Sequence, residues 1–250
     1  MSTMPLGLVA QENFHYLFRR NLYPGDGIVV GLDETGKFLV QVYWIVGSSP
    51  DRLNRIFVIG ERDLVATEVA DESKAESRSL IVYNAMREDV CGNKLFAVAS
   101  NGNQTDEVAH MIRPEDFATA LKRYTYEPDE PNFTPRITAI SYWFNSRPKA
   151  KMSLLRKSIW SMACERHFYE FDDLGAGFGH GITTYSGDGD PLPAFQGEPI
   201  LLPLAGSAER IASTYWETLN SENKVSLAVK FISRDGSSQT VIYNKYSQVG

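Results

Sequence analysis

Four places in the chain gather residue types able to do chemistry. The segment Tyr126-Glu127-Pro128-Asp129-Glu130-Pro131-Asn132-Phe133-Thr134-Pro135-Arg136 packs three prolines, three acids and one arginine into eleven residues. Proline stiffens the backbone, so such a segment can hold a carboxylate and a guanidinium at a fixed separation; it also reads as a rigid linker. Ser100-Asn101-Gly102-Asn103-Gln104-Thr105-Asp106 follows an apolar run and sets a row of amides and a carboxylate at a strand end. Polar strand ends commonly bind ligands, and a turn or helix N-cap explains the segment equally. Arg52, Asn54 and Arg55 follow another apolar run; paired arginines there suit a phosphate clamp, with a solvated basic turn as the alternative. His180 stands between Gly179 and Gly181, where bare neighbours let a ligand approach, or where it is simply a polar loop histidine.

The common signatures are absent: no Walker-type phosphate loop, no His-Glu-x-x-His, no Cys-x-x-Cys. The glycines at 175, 177, 179 and 181 follow Asp172-Asp173-Leu174 rather than a clear strand, so they fail the dinucleotide fingerprint. His15, His110, His167 and His180 are scattered without a second ligand at metal spacing, so no metal site is expected. Asp188 and Asp190 begin like a calcium loop, but Leu192 and Ala194 break the register of oxygens and a tight turn reads better.

These residues sit in a chain of 250 with 31 acids, 25 basic residues and a net charge of −6, which argues against a nucleic-acid partner. A globule of this length buries roughly 70–75% of its unfolded surface, so no disulfide or metal staple is required. No run approaches the ~20 apolar residues of a membrane helix. The first ten residues make a poor signal peptide, and two cysteines fit a reduced, cytoplasmic setting.

The positioning elements are mainly strands. Residues 38–46 are almost continuously apolar or aromatic, as in a strand covered on both faces, and 28–30 pairs with it across a hairpin turn containing Asp33, Glu34 and Gly36. Further strands are expected at 56–59, 64–69, 80–85, 95–99, 137–144, 167–171 and 225–232, the last in a hairpin with 240–243 across Arg234-Asp235-Gly236. One helix starts at Pro114, with Phe117, Ala120 and Leu121 on one face. Another follows Ser207, where Ile211, Ala212, Tyr215, Trp216 and Leu219 form a helical stripe. Residues 71–78 read as a polar surface loop and 175–181 as a glycine-dense one. Strand runs with few helices predict an α+β fold of packed sheets capped by helices, in a single domain over residues 1–250.

Several stretches recur in a characteristic order: Arg20-Asn21-Leu22-Tyr23-Pro24-Gly25-Asp26-Gly27-Ile28-Val29-Val30-Gly31; Tyr43-Trp44-Ile45-Val46-Gly47 with Asn54-Arg55; Tyr83-Asn84-Ala85-Met86-Arg87; Ser100-Asn101-Gly102 with Thr105-Asp106; and Glu127-Pro128-Asp129 through Asn132-Phe133-Thr134-Pro135-Arg136-Ile137. In that order they resemble the IMP cyclohydrolase family first known from archaea. A later block, Gly179-His180 to Tyr185 and Gly187-Asp188-Gly189 to Gly197-Glu198-Pro199, is similar to its longer bacterial branch. The matching stretches span residues 20–199, and their order, rather than any one of them, is specific.

The resemblance implies a four-layer αββα sandwich like that of the N-terminal-nucleophile hydrolases, used without a terminal nucleophile. It implies an enzyme that closes the formamido-imidazole carboxamide ribotide (FAICAR) to IMP with loss of water in de novo purine biosynthesis. Such an enzyme is a cyclic-amidine hydrolase acting in the ring-closing direction, with a purine ribonucleotide as its partner and no metal or organic cofactor. The carboxamide nitrogen is a poor nucleophile and must be held against the formyl carbon. Charge then grows on the formyl oxygen, and a proton must leave nitrogen while another reaches the departing oxygen. By resemblance Arg55, Tyr83 and Glu127 are catalytic: Glu127 transfers protons, Tyr83 serves the formyl oxygen or a relay, and Arg55 stabilises charge or anchors substrate. Asn84, Asn101, Gly102, Asp106, Thr134, Arg136 and His180 would bind substrate, Arg136 at the 5′-phosphate.

The bacterial branch commonly carries arginine where this chain has Asp26 and Ser48, with Arg52 nearby as a replacement for one charge. That departure leaves a second reading, a non-catalytic purine-nucleotide-binding homologue that has lost phosphate-site arginines. A pure interaction protein has no need for Tyr83, Glu127 and Arg136 together. The sequence leaves the oligomeric state open, with symmetric self-assembly into a homo-oligomer the common habit of such enzymes.

Overall fold

The computed structural model describes residues 5–74, 81–91, 94–110 and 113–246. The first half contains α1 (Leu6–His15), β1 (Gly27–Leu32), β2 (Leu39–Val46), α2 (Pro50–Leu53), β3 (Arg55–Ile59), β4 (Val65–Val69), β5 (Asn84–Cys91), β6 (Lys94–Ser100), α3 (Gln104–Ala109) and α4 (Phe117–Ala120). The second half adds β7 (Arg136–Phe144), β8 (Arg147–Lys157), β9 (Cys164–Phe171), β10 (Phe178–Thr183), β11 (Ile200–Pro203), α5 (Ala208–Thr218), β12 (Lys224–Ile232) and β13 (Ser238–Asn244).

The strands form two antiparallel sheets. One has the order β11-β10-β1-β2-β12-β13; the other runs β3 to β9 in chain order. All eight residues of β2 are buried, as its continuous apolar character predicts. Its Leu39, Tyr43 and Ile45 join Ile28 and Val30 against Ala97, Ala99, Ala139 and Met152 of the second sheet. Its Val40, Val42 and Trp44 face outward onto Phe14, Phe18, Ile211 and Tyr215 from α1, the π-turn that follows it, and α5. On the far side, Phe96, Val98, Ile140 and Tyr142 meet Val108, Ala109, Phe117 and Leu121 from α3, α4 and the turn after α4. The fold is therefore α+β, with two facing sheets and a few helices on their outer surfaces.

The expected hairpins β1–β2 and β12–β13 form, and Ser207 caps α5 by accepting the Arg210 N–H. The alternation at 225–232 divides two buried faces rather than a wet and a dry one: Leu227, Val229 and Phe231 face the helices, while Lys230 enters the other side and binds Glu88 at 2.9 Å. Three expectations are corrected. The helix from Pro114 is a 3-10 turn at Pro114–Asp116 followed by the four-residue α4. The strand expected at 80–85 starts at Asn84; residue 80 lies outside the described residues. The glycine-dense loop at 175–181 enters β10 at Phe178, because Gly31 and Gly179 let β1 and β10 pack where side chains would collide with Leu204. In the polar loop 71–78, Glu72–Lys74 is a 3-10 turn and 75–78 lie outside the described residues. Sequence patterning did not anticipate α1, β8 or β11. No described helix is long and apolar enough to cross a membrane.

Candidate active site

Glu127 ends a short descent of chain from α4, and its carboxyl is almost wholly buried, 3% exposed. Its N–H donates to Thr134 O (2.8 Å), closing the proline-rich segment into a loop. Asp129 pins that loop by accepting the Thr134 N–H at 2.7 Å and the Thr134 hydroxyl. Burial raises the Glu127 pKa to about 7, against the opposing pull of Arg52 and Arg136.

Arg52 reaches this carboxyl from α2. Ser49 caps the helix and Pro50 opens it. Gly47 allows the turn to fold back, since a Cβ there would lie 2.6 Å from the Arg52 carbonyl carbon. One Arg52 nitrogen donates to Glu127 (3.2 Å), Asp129 (2.7 Å) and Thr134 Oγ1 (3.3 Å). Arg55, the first residue of β3, is 2% exposed and donates to the carbonyls of Arg52 and Val46, both at 2.9 Å. Its guanidinium ties the chain end of β2 to α2, while its charge bears on Asp26, Tyr43 and Tyr83. Asp26 is buried just before β1 and accepts the Val46 N–H at 2.9 Å. Burial pushes its pKa up, although Arg55, the Val46 N–H and Arg52 pull it down.

Tyr83 lies one residue before β5. Thr67 holds its backbone by exchanging hydrogen bonds with its N–H (2.8 Å) and carbonyl (2.9 Å from N, 3.1 Å from Oγ1). Its phenol meets that of Tyr43. Burial, reinforced by Asp26 and Glu127, raises the Tyr83 pKa, so the phenol stays neutral.

The predicted binding residues divide. Thr134 is in the cluster, with its hydroxyl 2.5 Å from the Tyr185 hydroxyl. Arg136, at the start of β7, donates to Gln104 Oε1 at 2.9 Å and bears on Glu127. Gly102 fits under it: a Cβ would stand 2.2 Å from its Nη1. Asn101 is committed to the fold, donating to Pro135 O (2.9 Å) and accepting the Ile137 N–H (2.8 Å), which zips β6 to β7. Asn84 gives its amide to both Asp106 oxygens (2.9 and 3.0 Å), and Arg87 joins them at 3.1 Å, forming a patch beside Tyr83. His180 is not brought to the cluster. It sits within β10 opposite Val30 and stacks on Phe171 at 3.8 Å.

Sequence reasoning left Tyr43, Asp129 and Tyr185 without roles and treated Asp26 only as a departure. Asp129 was visible within the proline-rich segment, but Tyr43 reads as core because its strand is apolar throughout. A groove of about 500 Å³ is lined in part by Tyr126 and Pro128, the chain neighbours of Glu127, with Arg123, Phe133, Arg136 and Met162; the buried Glu127, Arg55 and Tyr83 are not in its lining. A larger cavity, about 840 Å³, lies over α1 and α5 and contains none of these groups. Chemically, a carboxyl that titrates near neutrality, a neutral phenol and fixed guanidiniums can take a proton from one atom and return it to another.

No curated protein and no solved structure matches the chain significantly. The sequence profile of the IMP cyclohydrolase-like proteins matches residues 23–236, a span that holds every residue of the cluster and both sheets up to the start of β13. The chain belongs to the IMP cyclohydrolase-like family.

Proposed function

We propose that the protein is a cytoplasmic IMP cyclohydrolase that closes FAICAR to IMP with loss of water, in a single domain of the N-terminal-nucleophile-hydrolase-like αββα type. The observation that carries this reading is the buried Glu127 carboxyl, titrating near 7 and held by Arg52 in the loop that also bears Arg136. Ring closure needs one group that removes a proton from the carboxamide nitrogen and later delivers one to the departing oxygen; a carboxyl with pKa near the working pH does both well. As nitrogen adds to the formyl carbon, the neutral Tyr83 phenol donates to the formyl oxygen, and the Arg55 charge stabilises the negative charge growing there. The oxyanion takes the Tyr83 proton, and the hydroxyl so formed leaves as water with the proton that Glu127 took from the carboxamide nitrogen; the formamido nitrogen gives up its own proton to restore the Tyr83 phenol, which leaves the C=N bond of the new ring. The groove formed by the proline-rich segment is of ligand size and offers Arg136 and Arg123 to a phosphate and Tyr126 and Phe133 to a flat base; Glu127 lies buried beneath it, between the lining residues Tyr126 and Pro128 in sequence.

Asp26 favours a second reading, a nucleotide-binding homologue without turnover, because it places a buried carboxylate among the arginines. Ultraviolet absorbance during mixing of purified protein with FAICAR distinguishes the two. IMP formation that disappears in Glu127→Gln supports the enzyme. Tight binding of IMP without turnover supports the binding protein, and neither binding nor turnover removes both.

A further inference from the structure

The two sheets have four edges, and asparagine side chains from other elements bond the backbone of two of the edge strands, β11 and β3. α1 lies over β11, where the Asn13 amide donates to Leu201 O at 3.0 Å. β3 and β13 are clasped together by Asn244, whose side chain accepts the Phe57 N–H and donates to the Phe57 carbonyl, both at 2.9 Å. β9 is the fourth edge. Among the described residues it makes no backbone–backbone hydrogen bonds beyond its ladder with β8. An eight-residue open edge is a template for another strand. Exposed apolar groups accompany it: Phe168 at its centre, and Ile159, Trp160 (86% exposed) and Met162 on the turn that leads into it.

The residues along this edge select the occupant. Arg166, Phe168 and Glu170 point to one face of the strand, with opposite charges placed symmetrically about the aromatic ring. We propose that β9 pairs antiparallel with β9 of a second copy of this chain, about a two-fold axis at Phe168. In that register Phe168 faces its own copy, and Arg166 of each chain faces Glu170 of the other, the favourable cross-strand pairs. Glu170 is two-thirds exposed and already receives Lys151 Nζ at 2.8 Å, so Arg166 of the second copy would extend an alternating row of charges. Arg166 is tied to the turn after α4, donating to Lys122 O (3.1 Å) and Tyr124 O (2.9 Å), on the face where Phe168 packs edge-on against Phe117, and a guanidinium has further N–H donors to offer. The assembly is isologous and closed, as a two-fold requires. It also reaches the candidate site: the Tyr126 hydroxyl donates to Met162 O at 2.7 Å, so a second copy on this hairpin braces the segment carrying Glu127.

The pairing is independent of the reaction and is tested by sedimentation velocity of the full chain over a micromolar concentration series. The expected result is a dimer whose dissociation constant rises by about tenfold or more in Glu170→Arg, where like charges meet twice, and in Phe168→Thr. Arg166→Glu combined with Glu170→Arg restores opposite charges and the dimer. A wild-type monomer throughout, an assembly indifferent to Glu170→Arg and Phe168→Thr, or a folded double variant that does not regain the dimer overturns the proposal.

Discussion

The phenol oxygens of Tyr43 and Tyr83 meet at 2.7 Å between the two sheets. Tyr43 comes from β2 and is fully buried; Tyr83 comes from the opposite sheet, in the field of Asp26, Arg55 and Glu127. This hydrogen bond thus links the two sheets and sets the direction of the Tyr83 phenol.

Removing either hydroxyl leaves the other buried without its partner. Tyr43→Phe and Tyr83→Phe should each lower stability by roughly 1–3 kcal/mol in urea titrations, and the double variant by less than their sum. Turnover should fall further in Tyr83→Phe than in Tyr43→Phe, because only Tyr83 is proposed to meet the formyl oxygen.

Glu127 makes stability depend on pH. Its folded pKa, about 7, stands above the ordinary 4.5, so the folded state holds the proton more tightly. The associated stability is complete below about 4.5 and is lost as pH rises through about 7. Denaturation across this range should show wild type weakening relative to Glu127→Gln, which has no such proton to release. Turnover should move oppositely, rising through pH 7 in wild type and falling roughly 100-fold or more in the variant.

Arg52 opposes the desolvation of Glu127. With Arg52→Met the carboxyl loses its nearest cation and its pKa rises, so the acidic limb of the pH–rate profile should shift upward by roughly one unit. An unshifted limb with lower turnover would assign Arg52 to loop structure alone, through Asp129 and Thr134.

Gly102→Ala tests Arg136. The new methyl group would displace the guanidinium from its place on Gln104. KM for the nucleotide should rise several-fold with kcat nearly kept, and stability should fall by roughly 1–3 kcal/mol, since the buried Gln104 Oε1 loses the Arg136 N–H.

Much of this architecture was legible in residue patterns. A strand buried on both sides, as β2 is, announces itself by unbroken apolar character, and the stripe on α5 by its period. β10 was missed because Gly179 and Gly181 imitate a loop, when close packing against Val29 and Leu202 is what requires them. β8 was missed because Lys149, Lys151 and Arg156 dilute its apolar residues; their charges are taken up by Asp172, Glu170 and Glu165. Arg55, Tyr83 and Glu127 were singled out only through the ordered stretches that carry the family resemblance. Arg52 was not distinguishable from a solvated basic turn, since its partners lie more than seventy residues away. At His180 the glycine neighbours have a packing reason of their own, the close approach of β10 to Val29 and Leu202.

The order of strands divides the chain's synthesis into two unequal tasks. β3 to β9 are successive neighbours, so that sheet can zip up from local hairpins as it leaves the ribosome. β2 must wait for β12, a partner that Trp44 and Leu227 place more than 180 residues apart. Until then one side of β2 is bare, and Tyr43 and Asp26 have no finished sheet to hold them. A nascent chain that stalls before β12 would therefore carry Glu127 on a largely built sheet with the opposing half of its surroundings still open, a species for chaperones rather than for nucleotides.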